Sequence, residues 1–164
     1  MAAHYFKKQP LERQQLNQEI IDLIAWEVSE LGYYEDTTAE ETAQVAREYF
    51  GLEVETTEEV TVERIQRELA AGHLIIPPFA GRQLPNPYFR QPGPRYHMLV
   101  IKGYDARRGE FITNDPGTNT KGEGLRYAYD DLLNAVHDWN GWNVDEGRRV
   151  MLIVKGYVGV SGER

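Results

Sequence analysis

The stretch that most constrains the fold is residues 96–118, because it reads as two apolar runs joined by a polar turn. The first run extends from His97 to Ile101, and the second from Glu110 to Thr113. Residues 105–109 between them contain the Asp and the Gly that hairpin loops favour. The pattern predicts an antiparallel β-hairpin around which the rest of the chain is arranged.

The open end of this hairpin carries two residues with acid–base chemistry. If the chain folds about residue 106, His97 lies directly opposite Asp115. Opposed residues of an antiparallel pair have Cβ atoms roughly 4.5–5.5 Å apart, so an imidazole–carboxylate hydrogen bond is predicted. A register slip of one residue would turn one of the two side chains to the other face. An Asp in this position fixes the imidazole tautomer and stabilises the imidazolium, as in nucleophilic triads.

Composition excludes several classes of function. The 164 residues suit one domain and contain no apolar run near the roughly 20 residues that a membrane helix needs. No signal peptide is evident, and a cytoplasmic location is favoured. The net charge is −8, and residues 1–72 hold 16 acids and 6 bases. Such an acidic chain without a basic stripe is not expected to bind nucleic acid, and the sequence predicts no cofactor.

Residues 1–72 are predicted to be mainly helical, with a short strand or extended link at Leu52 and Val54, which alternate with acids. The first long helix ends before Gly32, and its apolar stripe consists of Ile20, Ile24, Val28 and Leu31. Thr38, with Glu41 three residues later, forms a capping box for the next helix. That helix has a stripe of small residues, Ala39, Ala43 and Ala46. Thr61 is predicted to cap a third helix.

Residues 73–164 have a different character. Apolar runs at 74–76 and 150–154 predict strands, and a helix is predicted from 130 to 139. Six of the eight prolines lie between Pro77 and Pro94, in a long loop of the kind that is often functional. Helices followed by strands, without regular alternation, indicate an α+β fold with an antiparallel sheet.

An ordered set of positions resembles a known family. The set is His97, Val100, Gly-Tyr-Asp at 103–105, Asn-Asp-Pro-Gly-Thr at 114–118 and Tyr-Asp-Asp-Leu at 129–132. It is similar to the bacterial peptidases that cleave double-glycine leaders of bacteriocins, which are papain-like cysteine peptidases. The resemblance covers residues 73–140 well and the helical part loosely. It implies one papain-like domain over 1–164, with a helical part at 1–72 and a sheet part at 73–164.

The same resemblance implies the roles of the site residues. His97 would be the catalytic base and general acid, and Asp115 the carboxylate that orients it, with a peptide or protein as substrate and no metal. A metal site made by His97, Asp115 and a third ligand is an alternative, but no HxH or HExxH spacing supports it.

The resemblance also implies a nucleophilic cysteine at the start of an N-terminal helix, and this sequence contains no Cys. Residues 1–8 resemble the later part of that helix. We therefore expect either an N-terminally incomplete domain or a natural protein without the cysteine. Ser29, inside a predicted helix, and Ser161, in the C-terminal tail, are the only serines, and neither has the expected position.

Two expectations about function follow. As given, the chain is predicted not to hydrolyse peptide bonds, and a non-catalytic peptide-binding module is the alternative to an incomplete thiol hydrolase. If part of the N-terminal helix is absent, the apolar groove that it fills is left open. Exposed apolar surface favours association, so a homodimer through this groove is predicted.

Overall fold

In the computed structural model of the protein, which describes residues 1–7, 12–118 and 120–159, a six-stranded sheet runs through the centre. Its strands are β1 (Leu52–Thr57), β2 (Leu74–Ile76), β5 (Val100–Asp105), β6 (Glu110–Asn114), β7 (Glu123–Ala128) and β8 (Met151–Tyr157). They lie in the order β1-β8-β2-β5-β6-β7, and every neighbouring pair is antiparallel. A separate two-stranded ribbon pairs β3 (Pro78–Ala80) with β4 (Tyr96–Met98).

Helices cover both faces of the sheet. Within the described residues they are α1 (Ala2–Lys7), α2 (Arg13–Glu30), α3 (Ala39–Glu48), α4 (Val62–Ala70) and α5 (Tyr129–Asn134). Three helices precede the first strand of the sheet, and most strands follow residue 73. The predicted α+β fold with an antiparallel sheet is confirmed.

The central strands are buried on both faces, which explains why their sequences are apolar without alternation. Along β8, Met151 and Ile153 pack in the cluster under α4 and α5, whereas Leu152 and Val154 pack in the cluster under α1 and α3. Successive side chains of a strand point to opposite faces, so both faces here require apolar residues. The run at 150–154 therefore belongs to an interior strand rather than to an edge.

The predicted helix starts are present. Thr38 accepts a hydrogen bond from the Glu41 N–H at 3.3 Å, and the Glu41 carboxylate accepts from the Thr38 N–H at 2.8 Å. The Thr61 hydroxyl caps α4 by accepting from the Arg64 N–H at 3.1 Å. The small residues of α3 are buried against the sheet, as predicted: Ala39, Ala43 and Ala46.

The prediction that α2 packs through an apolar stripe is wrong. No residue of this 18-residue helix is buried, and four of its aliphatic side chains are exposed: Leu16, Ile20, Ile21 and Val28. The physical reason is that its apolar residues are spread around the helix, because consecutive residues such as Ile20 and Ile21 differ by about 100°. No helix among the described residues is both long and apolar enough to span a membrane.

Two further elements differ from the sequence-based expectation, whereas the short strand or extended link suggested at Leu52 and Val54 is present as β1. The strand β7 follows β6 in a part of the chain for which no strand is predicted. The helix predicted from 130 to 139 ends at Asn134, since Val136 forms a β-bridge with Phe79 instead. This bridge attaches the β3–β4 ribbon, and with it the proline-rich loop, to the segment that follows α5.

Candidate active site

The hairpin register differs from the predicted one. Val100 pairs with Asn114 and Asp105 with Glu110, so the turn is centred between residues 107 and 108 rather than on 106. The register also shifts by one residue between Ile101 and Gly103. Direct opposition of His97 and Asp115 is therefore wrong.

The two side chains nevertheless meet. His97 lies on β4, where it pairs with Phe79 of β3 rather than with the hairpin. The ribbon carries the imidazole over the turn that follows β6, and Nε2 of His97 lies 2.8 Å from Oδ1 of Asp115. The imidazole is 10% exposed and the carboxylate is fully buried. Both predicted site residues thus lie in one place, although their chemical role stays a prediction.

Asp115 accepts hydrogen bonds from four groups. Oδ1 accepts from Nε2 of His97 and from the Gly117 N–H at 2.9 Å. Oδ2 accepts from the Asn86 side-chain amide at 2.9 Å and from the Tyr127 hydroxyl at 3.1 Å. A buried carboxylate is tolerated when such donors satisfy its oxygens, so this arrangement is built to hold an ionised Asp115.

These donors determine the electrostatics of the pair. Burial acts to raise the pKa of Asp115, but it is outweighed by the hydrogen bond and charge of His97 and by the bonds from Gly117 and Tyr127. The pKa of Asp115 is therefore lowered. The pKa of Tyr127 is raised by burial and by the neighbouring Asp115, so its hydroxyl remains a donor.

Sequence reasoning missed Asn86 and Tyr127. Asn86 is buried in the proline-rich loop, and its amide also donates to the Tyr127 hydroxyl at 2.8 Å. Its own Oδ1 accepts from the Tyr88 N–H at 2.8 Å, which fixes the orientation of the amide. The length of the proline-rich loop predicts a functional role for it, but does not indicate which of its residues reaches the site.

Two glycines allow the close approach of His97. At Gly117 an added Cβ would lie 2.9 Å from Cε1 of His97 and 3.3 Å from Oδ1 of Asp115. At Gly81 it would lie 3.1 Å from Cβ of His97. The Phe89 ring packs edge-on against the imidazole, with centroids 5.2 Å apart. These contacts hold the ring with Nε2 towards Asp115, and Nδ1 makes no hydrogen bond within the described part of the chain.

An apolar cavity of about 300 Å³ lies beside this pair. Leu99 and Pro116, which are near neighbours of His97 and Asp115 in the chain, line it. Its other walls come from α1, α2, α3 and the sheet, and include Ala2, Ala3 and Leu23. The cavity is of a size that accepts one or two apolar side chains. The homodimer expected from an open groove stays a prediction.

Among the described residues, neither a serine nor a metal cluster lies at the pair. The Ser29 hydroxyl donates to Glu30 at 3.3 Å at the exposed end of α2, and Ser161 lies outside the described residues. Over residues 1–7, 12–118 and 120–159, no three His, Asp or Glu side chains are grouped as metal ligands. The chemistry that the site offers is thus that of an imidazole held in one tautomer by a buried carboxylate.

Comparison with known proteins assigns the chain to a family. Residues 1–144 match the family model described as "Peptidase_C39 like family", and the chain belongs to this family. No curated protein matches the chain.

A solved structure shares the fold. It is described as a C39-like peptidase from Bacillus anthracis, with 16% sequence identity and a TM-score of 0.50. The match covers 76% of this chain and 65% of that one, so this chain accounts for about two thirds of the other protein. The comparison supports the α+β, papain-like fold that the sequence predicts.

The lowered pKa of Asp115 predicts a specific dependence of stability on pH. Because the folded state binds the Asp115 proton more weakly than the unfolded chain, ionisation of Asp115 stabilises the fold above the ordinary Asp pKa of about 3.9. This contribution is lost as pH falls below that value. Urea unfolding at a series of pH values should show that the free energy of unfolding falls less steeply with decreasing pH in Asp115→Asn than in the parent chain. Equal slopes in the two proteins would contradict the assignment.

Proposed function

We propose that this domain carries the acid–base half of a thiol-hydrolase site that cleaves peptide bonds, with His97 as base and general acid and Asp115 as the residue that orients it. The observation that carries the proposal is the 2.8 Å bond between Nε2 of His97 and a buried, fully hydrogen-bonded Asp115. Membership of the C39-like family supports a peptide as substrate. A substrate of the double-glycine type is the narrower proposal within that class.

The geometry of the pair supports a separate step for each ring nitrogen. With Nε2–H donating to Asp115, Nδ1 is the unprotonated acceptor, and it would take the proton of a cysteine thiol. The thiolate attacks the peptide carbonyl, and the imidazolium returns its proton to the departing amine. Water then hydrolyses the acyl-enzyme, with Nδ1 as the base again. Asp115 stays ionised throughout and stabilises the imidazolium.

The 164 residues supply no thiol, so we expect the chain as given to leave peptide bonds intact. The test joins an N-terminal segment with a single cysteine ahead of α1 and varies its position along the segment. Ala2 and Ala3 of α1 are buried and line the same cavity as Leu99 and Pro116. A cysteine placed just before α1 therefore lies on the side of the sheet that carries this cavity. Turnover of short peptides by one of these variants is the expected result.

Matched variants make this test decisive. The same segment with serine in place of cysteine, and the active variant with His97→Ala, should both be inactive. Circular dichroism and melting temperature must match those of the parent chain. A complete set of correctly folded cysteine variants without turnover would overturn the proposal.

A second candidate function is peptide binding without catalysis. The observation that favours it is the absence of Cys from a chain that keeps an apolar cavity beside the pair. Binding of peptides by the chain as given, together with inactivity of every cysteine variant, would favour this candidate over the hydrolase.

A further inference from the structure

The segment around His97 is cationic in an otherwise acidic protein. Residues 69–104 contain four Arg or Lys residues and no Asp or Glu, whereas the whole chain has a net charge of −8. Three of the four bases belong to the proline-rich loop or its exit, namely Arg82, Arg90 and Arg95. Such a local reversal of sign attracts anionic groups to one part of the surface.

Two of these arginines line a polar pocket of about 350 Å³, here called the Arg/Trp pocket. Its walls are Arg82, Arg95, Trp142, Asn143, Val144 and Asp145. The guanidinium carbon of Arg95 lies 5.5 Å from the ring centroids of both Trp139 and Trp142. Arg95 also donates to the Trp142 carbonyl oxygen. Stacking and this hydrogen bond fix the guanidinium before any ligand arrives, which reduces the entropy lost on binding.

Neither Arg82 nor Arg95 forms an ion pair among the described residues, although the Asp36 carboxylate interacts with Arg95 at longer range. Arg64, Arg126 and Arg148 each have a carboxylate partner at 2.8–3.2 Å. Among the described residues, by contrast, no carboxylate lies within 4.0 Å of the guanidinium of Arg82 or Arg95. The one acidic residue in the pocket wall is Asp145, whose Oδ1 accepts from the Gln83 amide at 2.6 Å.

Trp142 adds a surface on which a ligand can pack. Its side chain is 83% exposed, the largest exposure among the large hydrophobic residues of the described chain. Tryptophan and arginine are the residues most enriched at energetically dominant positions of binding interfaces. An exposed Trp stacked on an unpaired Arg therefore suits recognition of a peptide that presents a negative charge.

The pocket adjoins the His97–Asp115 pair. Arg82 directly follows Gly81, where an added Cβ would lie 3.1 Å from Cβ of His97. Arg95 lies two residues before His97, and its carbonyl accepts from the Gly81 N–H at 3.2 Å. A peptide that reaches the imidazole thus has the Arg/Trp pocket within a few residues of its reacting bond, given a rise of about 3.3 Å per extended residue.

We propose that the Arg/Trp pocket binds a carboxylate of the peptide substrate and so sets the specificity of the site for acidic peptides. The carboxylate comes either from an Asp or Glu side chain or from the peptide C-terminus. The inference takes a peptide as the class of ligand from the proposed function. Binding of a carboxylate needs no catalysis, so the binding test and the test for turnover can fail independently.

The test measures binding of three short peptides to the chain as it exists. One has a single Glu and an amidated C-terminus, one has Gln with a free C-terminal carboxylate, and one has Gln with an amidated C-terminus. We expect at least one of the two carboxylate peptides to bind about tenfold more tightly than the neutral one at low salt, with shifts of the Trp142 indole signal in NMR spectra. Which of the two binds identifies the source of the carboxylate.

Variants locate the site. Arg82→Gln and Arg95→Gln should each abolish the preference for a carboxylate, while Asp145→Asn should strengthen binding several-fold. Arg82 lines the pocket from an exposed position, so its variant keeps the test valid if Arg95→Gln disturbs the Trp142 loop. Arg107→Gln, at the turn of the β5–β6 hairpin, removes the same charge elsewhere and should change nothing.

Two results would overturn the proposal. One is equal binding, or no binding, of all three peptides. The other is an equal loss of affinity in Arg107→Gln and Arg82→Gln, which would show that net charge rather than the pocket attracts the peptide.

Discussion

Asp115→Asn in an active cysteine-bearing variant is expected to lower kcat by roughly 10⁴, the size of effect seen when the orienting carboxylate of a catalytic triad becomes an amide. Asp115 accepts hydrogen bonds on both oxygens, from the Gly117 N–H on Oδ1 and from the Asn86 amide on Oδ2. The NH₂ group of an asparagine must therefore face a donor on one side or the other. Neither orientation preserves all the present hydrogen bonds.

In one of these orientations, the asparagine changes the tautomer of the His97 imidazole. If the NH₂ group takes the place of Oδ1, it donates to Nε2 of His97, so the proton moves to Nδ1 and the nitrogen that should accept the thiol proton is blocked. If it takes the place of Oδ2, it opposes the amide of Asn86, which its bond to the Tyr88 N–H holds in place. The imidazolium loses its counter-charge in both cases.

Asp138→Asn is the matched control for this experiment. Asp138 is 2% exposed and accepts from the Ala39 N–H, the Tyr96 hydroxyl and Arg148, but it does not contact His97. Its variant should lose stability to a similar extent without changing the tautomer of His97. Imidazole ¹⁵N NMR spectra of both variants, measured beside kcat, separate the two effects. An Asp115→Asn variant with kcat within a few-fold of the parent value would contradict the role given to Asp115.

Local signals explain the parts of the fold that the sequence predicted. The capping box at Thr38 and the cap at Thr61 depend on residues three positions apart, and both form as expected. The run at 150–154 is apolar because its strand is buried on both faces, and no distant partner is needed to recognise it. Interactions between residues this close in the chain can therefore be predicted from the sequence.

The geometry of the site could not be predicted from residues that are close together in the chain. The register of the hairpin follows from a longer turn and from a shift between Ile101 and Gly103, and neither is determined by the apolar pattern. Asn86 reaches Asp115 from 29 positions away. The pairing of His97 with Asp115 was therefore predicted from a register that does not occur, and the β3–β4 ribbon brings the two side chains together instead.

For α2, by contrast, the apolar pattern predicts more packing than the structure shows. Its apolar residues predicted a packed face, yet the helix has no buried residue. Its apolar side chains are spread around the helix, so no single side is apolar enough to be buried. An apolar stripe therefore predicts packing only when the rest of the helix is polar.

Gly122→Ala is expected to produce the largest loss of stability among single substitutions near the site. The Gly122 carbonyl accepts from the Asp115 N–H at 3.0 Å, and a Cβ on Gly122 would lie 1.8 Å from the Asp115 carbonyl oxygen and 2.3 Å from Oγ1 of Thr118. The nearest of these is a backbone atom, which cannot turn aside as a flexible side chain would. The turn that holds Asp115 must therefore move.

We expect this variant to lose roughly 3 kcal/mol or more of unfolding free energy, which for a domain of this size corresponds to a melting temperature lower by about 6–12 °C. Gly103→Ala is the matched control on β5, because an added Cβ there meets nothing closer than 3.7 Å and its φ is not in the left-handed region. The control should melt within about 2 °C of the parent chain. Since the movement displaces Asp115, folded Gly122→Ala should also lose the NMR signature of the Nε2–H hydrogen bond of His97, which Gly103→Ala keeps. A Gly122→Ala variant that retains both its melting temperature and this signal would show that the turn does not hold Asp115 in place.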